Sequence, residues 1–173
     1  MKLSDLLIES DHAHIYEWCK KYDITNYVIG KHSGLVHVQG NVDLSNKGLT
    51  SFGVKFGTIE GNFLCHNNKL TSLEGAPKHV EGNFHCDNNK LVSLQGIPKS
   101  IGGFVDLSNN QLTSLEGVPK TIYGSFYCDR NKLTSLEFAP TEVNGSFYCD
   151  GNRTAFTKED VKKVCNVKGS ISV

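Results

Sequence analysis

From residue 38 onward, apolar and polar positions recur with a period of 21. Gly40, Gly61, Gly82, Gly103, Gly124 and Gly145 mark it without an insertion. After each Gly the chain alternates polar with apolar, as in "GNFHCDN" and "GSFYCDR", the pattern of a short strand with one buried face. One inward column is Val42, Phe63, Phe84, Val105, Phe126, Phe147, and the next is Leu44, Cys65, Cys86, Leu107, Cys128, Cys149. A slot that takes Leu in two coils and Cys in four is apolar, and free Cys packs there as a small hydrophobe. Further columns follow in step: Leu49, Leu70, Leu91, Leu112, Leu133, then Phe52, Leu73, Leu94, Leu115, Leu136, then Pro77, Pro98, Pro119, Pro140.

A column of Asn68, Asn89, Asn110, Asn131 and Asn152 falls where each strand ends and the chain must turn. A side-chain amide both donates and accepts, so the column predicts a ladder that satisfies the backbone of adjacent coils. The Pro column fits a return leg where no sheet needs its missing N–H. The Gly column is expected at a turn that a β-carbon would hinder.

Strand, Asn, "L-x-x-L" and Pro in this register resemble the leucine-rich repeats, in particular short bacterial repeats and their Phe- and Cys-containing relatives common in tailed-bacteriophage genomes. The resemblance implies a repeat solenoid, a superhelix with a parallel β-sheet on its concave face, spanning residues 38–157. Phe and Cys stand where that family usually has a Leu pair, and the first coil has Lys47 and Phe56 where the others have Asn and Pro. Both ends of such a stack need covering. Residues 1–37 predict a cap made of a helix in "SDHAHIYEWCKKYD", capped by Ser10 or Asp11 with Ile15, Trp18, Cys19 and Tyr22 on one side, and a hairpin looping through Gly30 to Gly34. Residues 158–173 predict a short helix, started by a capping box of Thr157 and Asp160 and turning Val161, Val164 and Cys165 inward, then a last strand in "SISV".

Composition narrows the function. Of 173 residues, 18 are basic and 18 acidic, which argues against a dedicated nucleic-acid binder. The first residues offer only Leu6 to Ile8 as an apolar run, short of a secretory signal, and nothing approaches membrane-spanning length. With no C-x-x-C spacing, the six Cys are expected as reduced thiols in the cytoplasm, host cytoplasm if the chain is phage-encoded.

Two stretches look reactive, Cys65-His66 and His85-Cys86-Asp87. Neighbouring strand residues point to opposite faces, so neither thiol can meet its neighbouring imidazole, and catalysis or metal binding by these pairs is not expected. No cofactor is implied. The outward columns are more informative: Asn41, Asn62, Asn83, Phe104, Ser125, Ser146; then Asp43, Leu64, His85, Asp106, Tyr127, Tyr148; then Ser45, His66, Asp87, Ser108, Asp129, Asp150. They hold five Asp and neither Lys nor Arg. Such a strip suits a protein partner with a basic contact surface: Phe104, Tyr127 and Tyr148 would anchor it, Asp106, Asp129 and Asp150 would pair its cations, and His66, His85 and Asp87 would complete the face. The expected function is therefore non-catalytic protein binding; the phage resemblance implies a host factor, such as a defence component, as the target. A competing reading places nucleic acid or phosphate on the basic columns Lys69, Lys90, Lys132, Arg153 and Lys78, Lys99, Lys120, but no aromatic residue interleaves with these to stack bases.

Overall fold

The computed structural model describes residues 12–173. They form a right-through stack of coils, a parallel-strand solenoid of about seven turns consistent with the leucine-rich-repeat type. Each segment that follows the repeated Gly makes a strand of two residues: β3 (Val42–Asp43), β5 (Phe63–Leu64), β7 (Phe84–His85), β9 (Val105–Asp106), β11 (Phe126–Tyr127) and β13 (Phe147–Tyr148). With β15 (Ile171–Ser172) they build a seven-stranded parallel sheet in which Phe63 pairs with Phe84 and Tyr127 with Tyr148, one coil directly over the next.

The return leg is a strand as well. Here the structure departs from the expectation of a leg without a ladder. After each Pro the chain forms β6 (His79–Val80), β8 (Ser100–Ile101), β10 (Thr121–Ile122) and β12 (Glu142–Val143), and β4 (Phe56–Ile59) and β14 (Asn166–Val167) do the same in the flanking coils. These make a second wall, five-stranded toward the N-terminus and three-stranded toward the C-terminus, with a break between β8 and β10. Pro stays outside the ladder because it precedes the strand by two residues, as Pro77 precedes His79.

Between the walls lies one continuous core. Phe63, Phe84, Phe126 and Phe147 are fully buried, as are Cys65, Cys86, Cys128 and Leu107 in the adjoining column. Burying a Phe contributes about 1.5–3 kcal/mol, so the Phe column supplies a large share of the driving force. Phe63 stacks on Phe84 with ring centres 5.9 Å apart, and Phe126 meets Phe147 edge to face at 5.2 Å.

Two polar ladders hold the coils in register. Asn89 illustrates the first: its Oδ1 accepts from the Leu70 N–H at 3.0 Å, while its Nδ2 donates to the carbonyls of Cys65 and Cys86 at 3.0 and 3.2 Å. The second comes from a column expected to be free contact surface. Asn41 Oδ1 accepts from the Asn62 N–H, Asn62 from Asn83 and Asn83 from Phe104; further along, Ser125 accepts from Ser146 and Ser146 from Ser170. The residue before each ladder Asn takes the left-handed conformation, with φ of 54° at Asn67, 53° at Asn88 and 50° at Arg130.

Gly40, at the start of the column, has a φ of 120° and open space around it, as a conformational role for Gly predicts, but from Gly61 onward the column is required for stacking and not for a turn. A Cβ at Gly82 would lie 2.8 Å from the backbone of Gly61, and none of Gly61, Gly82, Gly103, Gly124 or Gly145 has a positive φ. A positive φ recurs at Gly75, Gly96 and Gly117, two residues ahead of Pro77, Pro98 and Pro119; Phe138 stands at the matching place before Pro140.

Both caps are present. Helix α1 (Ala13–Lys21) buries Ile15 and Cys19 and lays Trp18 and Tyr22, partly buried, against the core; His12 sits at its N-cap position, and Ser10 and Asp11 lie outside the described residues. Strands β1 (Tyr27–Ile29) and β2 (Val36–Val38) form the expected hairpin, and β2 also pairs in parallel with β4, so the cap is continuous with the second wall. Helix α2 (Lys158–Val164) starts in the capping box of Thr157 and Asp160 and buries Val161 and, just past its end, Cys165, with Val164 half-buried. The Thr157 hydroxyl lowers the Asp160 pKa to about 2. Since β14 and β15 extend both walls, the C-terminal segment is a further coil as well as a lid.

Candidate functional site

The outer face of the seven-stranded sheet carries an aromatic run that crosses several coils. From the N-terminal side it passes through His66 and His85, with ring centres 5.8 Å apart, and His85 meets Phe104 edge to face at 4.4 Å. Phe104 meets Tyr127 at 6.0 Å, and Tyr127 stacks on Tyr148 at 4.5 Å with the rings within 1° of parallel. Parallel strands in register place each ring beside the next, so stacking follows from the repeat itself. It also changes the expected exposure: Phe104, Tyr127 and Tyr148 are half-buried, because each ring covers part of its neighbour. Tyr123, in the loop after β10, is the aromatic left 60% exposed, and its solitary place in its column gave no reason to single it out.

Phe104 occupies a ladder position. Coils before and after it use Asn or Ser there to accept an N–H from the next coil, and Phe104 offers nothing to the N–H of Ser125. The substitution gives up one rung of the ladder and joins two imidazoles to two phenols. A departure from the local rule of the repeat, with a continuous surface feature as its result, is where function is to be sought.

The carboxylates along this run differ. Asp43 is held below its usual range by the Ser45 hydroxyl, which donates to Oδ1 at 2.6 Å. Burial pushes Asp106 up, opposed by the hydroxyl and N–H of Ser108 on its Oδ1. Burial also raises Asp129, and the nearby charges of Asp150 and Asp106 push the same way. Among the described residues none of Asp87, Asp106, Asp129 and Asp150 forms an ion pair; the three such pairs are all in the C-terminal region, two of them on α2. Burial lowers His85, which favours the neutral imidazole.

The Cys and His of each suspect pair do face opposite ways. Cys65 is fully buried and its thiol donates inward to the carbonyl of His85 at 3.2 Å, whereas His66 is on the outer face. Burial drives the thiols of Cys65 and Cys128 far above the usual range and that of Cys149 up to about 12, so these groups stay protonated and unreactive. A question put to residues adjacent in sequence misses the contact made across the stack. One ring nitrogen each of His66 and His85 and a carboxylate oxygen of Asp87 lie within 4.8 Å of one another. His66 Nδ1 is buried and has no hydrogen-bond partner among the described residues, a state that costs about 1–3 kcal/mol.

The basic columns lie elsewhere. Lys78, Lys99 and Lys120 are exposed beside the second wall, and none of them is within ion-pair distance of the Glu74, Glu116 and Glu137 column. Lys132 instead donates to the side chain of Gln111 at 2.9 Å. No helix among the described residues is long and apolar enough to cross a membrane. No family model, no curated protein and no solved structure matches the chain.

Proposed function

We propose that this protein is a non-catalytic binding module that captures another protein on the outer face of its seven-stranded sheet. The reading rests on the run His66, His85, Phe104, Tyr127 and Tyr148, in which Phe104 displaces a structural hydrogen bond, bordered by Asp87, Asp106, Asp129 and Asp150 that have no cation of their own among the described residues. Aromatic rings held by rigid strands lose little entropy on binding and supply the anchors, and a partner's Lys or Arg would favour the charged form of Asp106 and Asp129, which burial disfavours. An Asp129 that meets a guanidinium returns toward its ordinary pKa, so binding takes up no net charge penalty from that group.

The resemblance to leucine-rich repeats of tailed phages supplies a setting: a viral protein in the bacterial cytoplasm that occupies a host factor, for instance a defence component. Nucleic acid on Lys78, Lys99 and Lys120 is the weaker reading, since the chain carries no excess of positive charge.

Capture from a bacterial lysate on immobilised protein, followed by identification of what is retained, provides the partner. Replacing both Tyr127 and Tyr148 with Ala abolishes retention while the variant stays folded by circular dichroism. If the same partner is retained by the double variant, the sheet face is not the binding surface. Retention lost instead on changing Lys78, Lys99 and Lys120 to Glu, with the tyrosines intact, selects the basic column.

A further inference from the structure

We propose that His66, His85 and Asp87 form a binding site for a divalent transition metal of the zinc class on the outer face of the sheet. The site lies at one end of the face proposed for protein capture, does not need that reading to hold, and adds a chemistry that the Cys–His pairs do not have. Its donors come from two adjacent coils. His66 follows β5, His85 lies on β7 and Asp87 follows β7, so the 21-residue stacking sets Asp87 beside His66 while His85 approaches from the neighbouring column.

The donor atoms already lie within 4.8 Å of one another. Ligands of a tetrahedral zinc ion with bonds near 2.0 Å are roughly 3.3 Å apart, a difference that small rotations of the three side chains remove. Two imidazoles and one carboxylate select a borderline metal such as zinc over calcium or magnesium, which prefer all-oxygen sets. Three protein donors leave a fourth position for water.

The surroundings hold the donors in place. His85 packs edge to face on Phe104 at 4.4 Å, and Asn88 Nδ2 donates to Asp87 Oδ2 at 2.6 Å, which orients the carboxylate and leaves its other oxygen available. The neighbouring carboxylate is not equivalent. Asp106 pairs in register with His85, yet its Oδ1 accepts both the hydroxyl and the N–H of Ser108. His66 Nδ1, buried without a hydrogen-bond partner among the described residues, is a polar atom that no protein group accounts for. The thiols take no part, since Cys65 and Cys86 are fully buried in the core on the opposite face.

The test is titration of the reduced full-length chain with zinc chloride in competition with a chromophoric chelator, and with cobalt chloride read by visible absorption. One zinc per chain is expected, with a cobalt spectrum of four-coordinate nitrogen and oxygen ligation that lacks a thiolate charge-transfer band. His66→Ala, His85→Ala and Asp87→Asn should each weaken zinc binding by about tenfold or more, while His79→Ala leaves it unchanged. On the unaltered protein, which removes any dependence on variants folding, zinc should protect His66 and His85 from diethyl pyrocarbonate and leave His79 reactive. The proposal is overturned by absence of saturable binding at micromolar zinc, by a thiolate band, by variants that bind as the parent does, or by protection confined to His12, His14 and His32, which line an open groove beside α1.

Discussion

The two ends of the outer face share a backbone and differ in what they display. Toward the N-terminus the central column carries Leu64 and His85, flanked by His66 and Asp87; toward the C-terminus it carries Tyr127 and Tyr148, flanked by Asp129 and Asp150. Beneath both, the same Asn makes the same bonds, as in Asn89 to Cys65 and Asn131 to Leu107, each 24 residues back. Stability and surface chemistry are carried by separate columns except at Phe104, which stands in the second ladder and gives up a rung to the surface run. Inward and ladder positions are held to a narrow set of residues by packing and hydrogen bonding, while outward positions beside them vary without disturbing the stack.

If that separation is real, damage to the shared frame should cost the same at either end. Asn89→Ala and Asn131→Ala each leave one backbone N–H without its acceptor and several buried carbonyls without their donor, so each is expected to destabilise by about 3 kcal/mol or more in urea unfolding. Costs that differ widely between the two would mean that the frame is not uniform along the stack.

A smaller effect is expected from the surface carboxylates. Burial raises the pKa of Asp129, so its protonated form is favoured in the fold. That contribution is fully present below the unfolded value of about 3.9 and is lost as pH rises through the higher folded value. At pH 7 the charge of Asp129 therefore works against the fold. Asp129→Asn should raise the melting temperature at neutral pH and leave it unchanged near pH 3, whereas Asp43→Asn, which loses a carboxylate stabilised by Ser45, should lower it at neutral pH. Thermal melts at the two pH values check both signs.

The smallest expected difference is none. Cys65 near one end and Cys128 near the other are both fully buried with strongly raised thiol pKa values. Both should label with a maleimide at pH 8 only as fast as the chain opens, and mass spectrometry of timed samples should find them equally slow.

Much of this frame is legible in the sequence, for a physical reason: a column that recurs five or six times averages out local ambiguity. The inward Phe and Cys and the Asn ladder emerge that way, while the single capping box at Thr157 is read from its local spacing. The second wall does not, because a two-residue strand such as Ser100–Ile101 turns only Ile101 inward and leaves no alternation to detect. The second ladder is hidden because Asn62 and Asn83 on an outward position look like exposed polar residues until their oxygens are seen to accept from the next coil. The two Asn of "NN" play different parts, one left-handed and one in the ladder, which identity alone does not distinguish. On the face itself, sequence columns place Tyr127 over Tyr148 but give no hint that Phe104 leans toward His85, or that His66, His85 and Asp87 converge, since they are neighbours only across the stack.

The fixed offsets of the Asn ladder have a consequence for how such a protein can change size. Every ladder Asn reaches a carbonyl 24 residues back and accepts from an N–H 19 residues back, from Asn68 to Asn152. Removing or duplicating one whole unit leaves each of these partners in place, with a new copy standing where the old one stood. The molecule is thus a ruler graduated in coils of about 4.8 Å: its length can be edited by recombination in whole steps, and each step lengthens or shortens the displayed face by one row without asking the core to be redesigned.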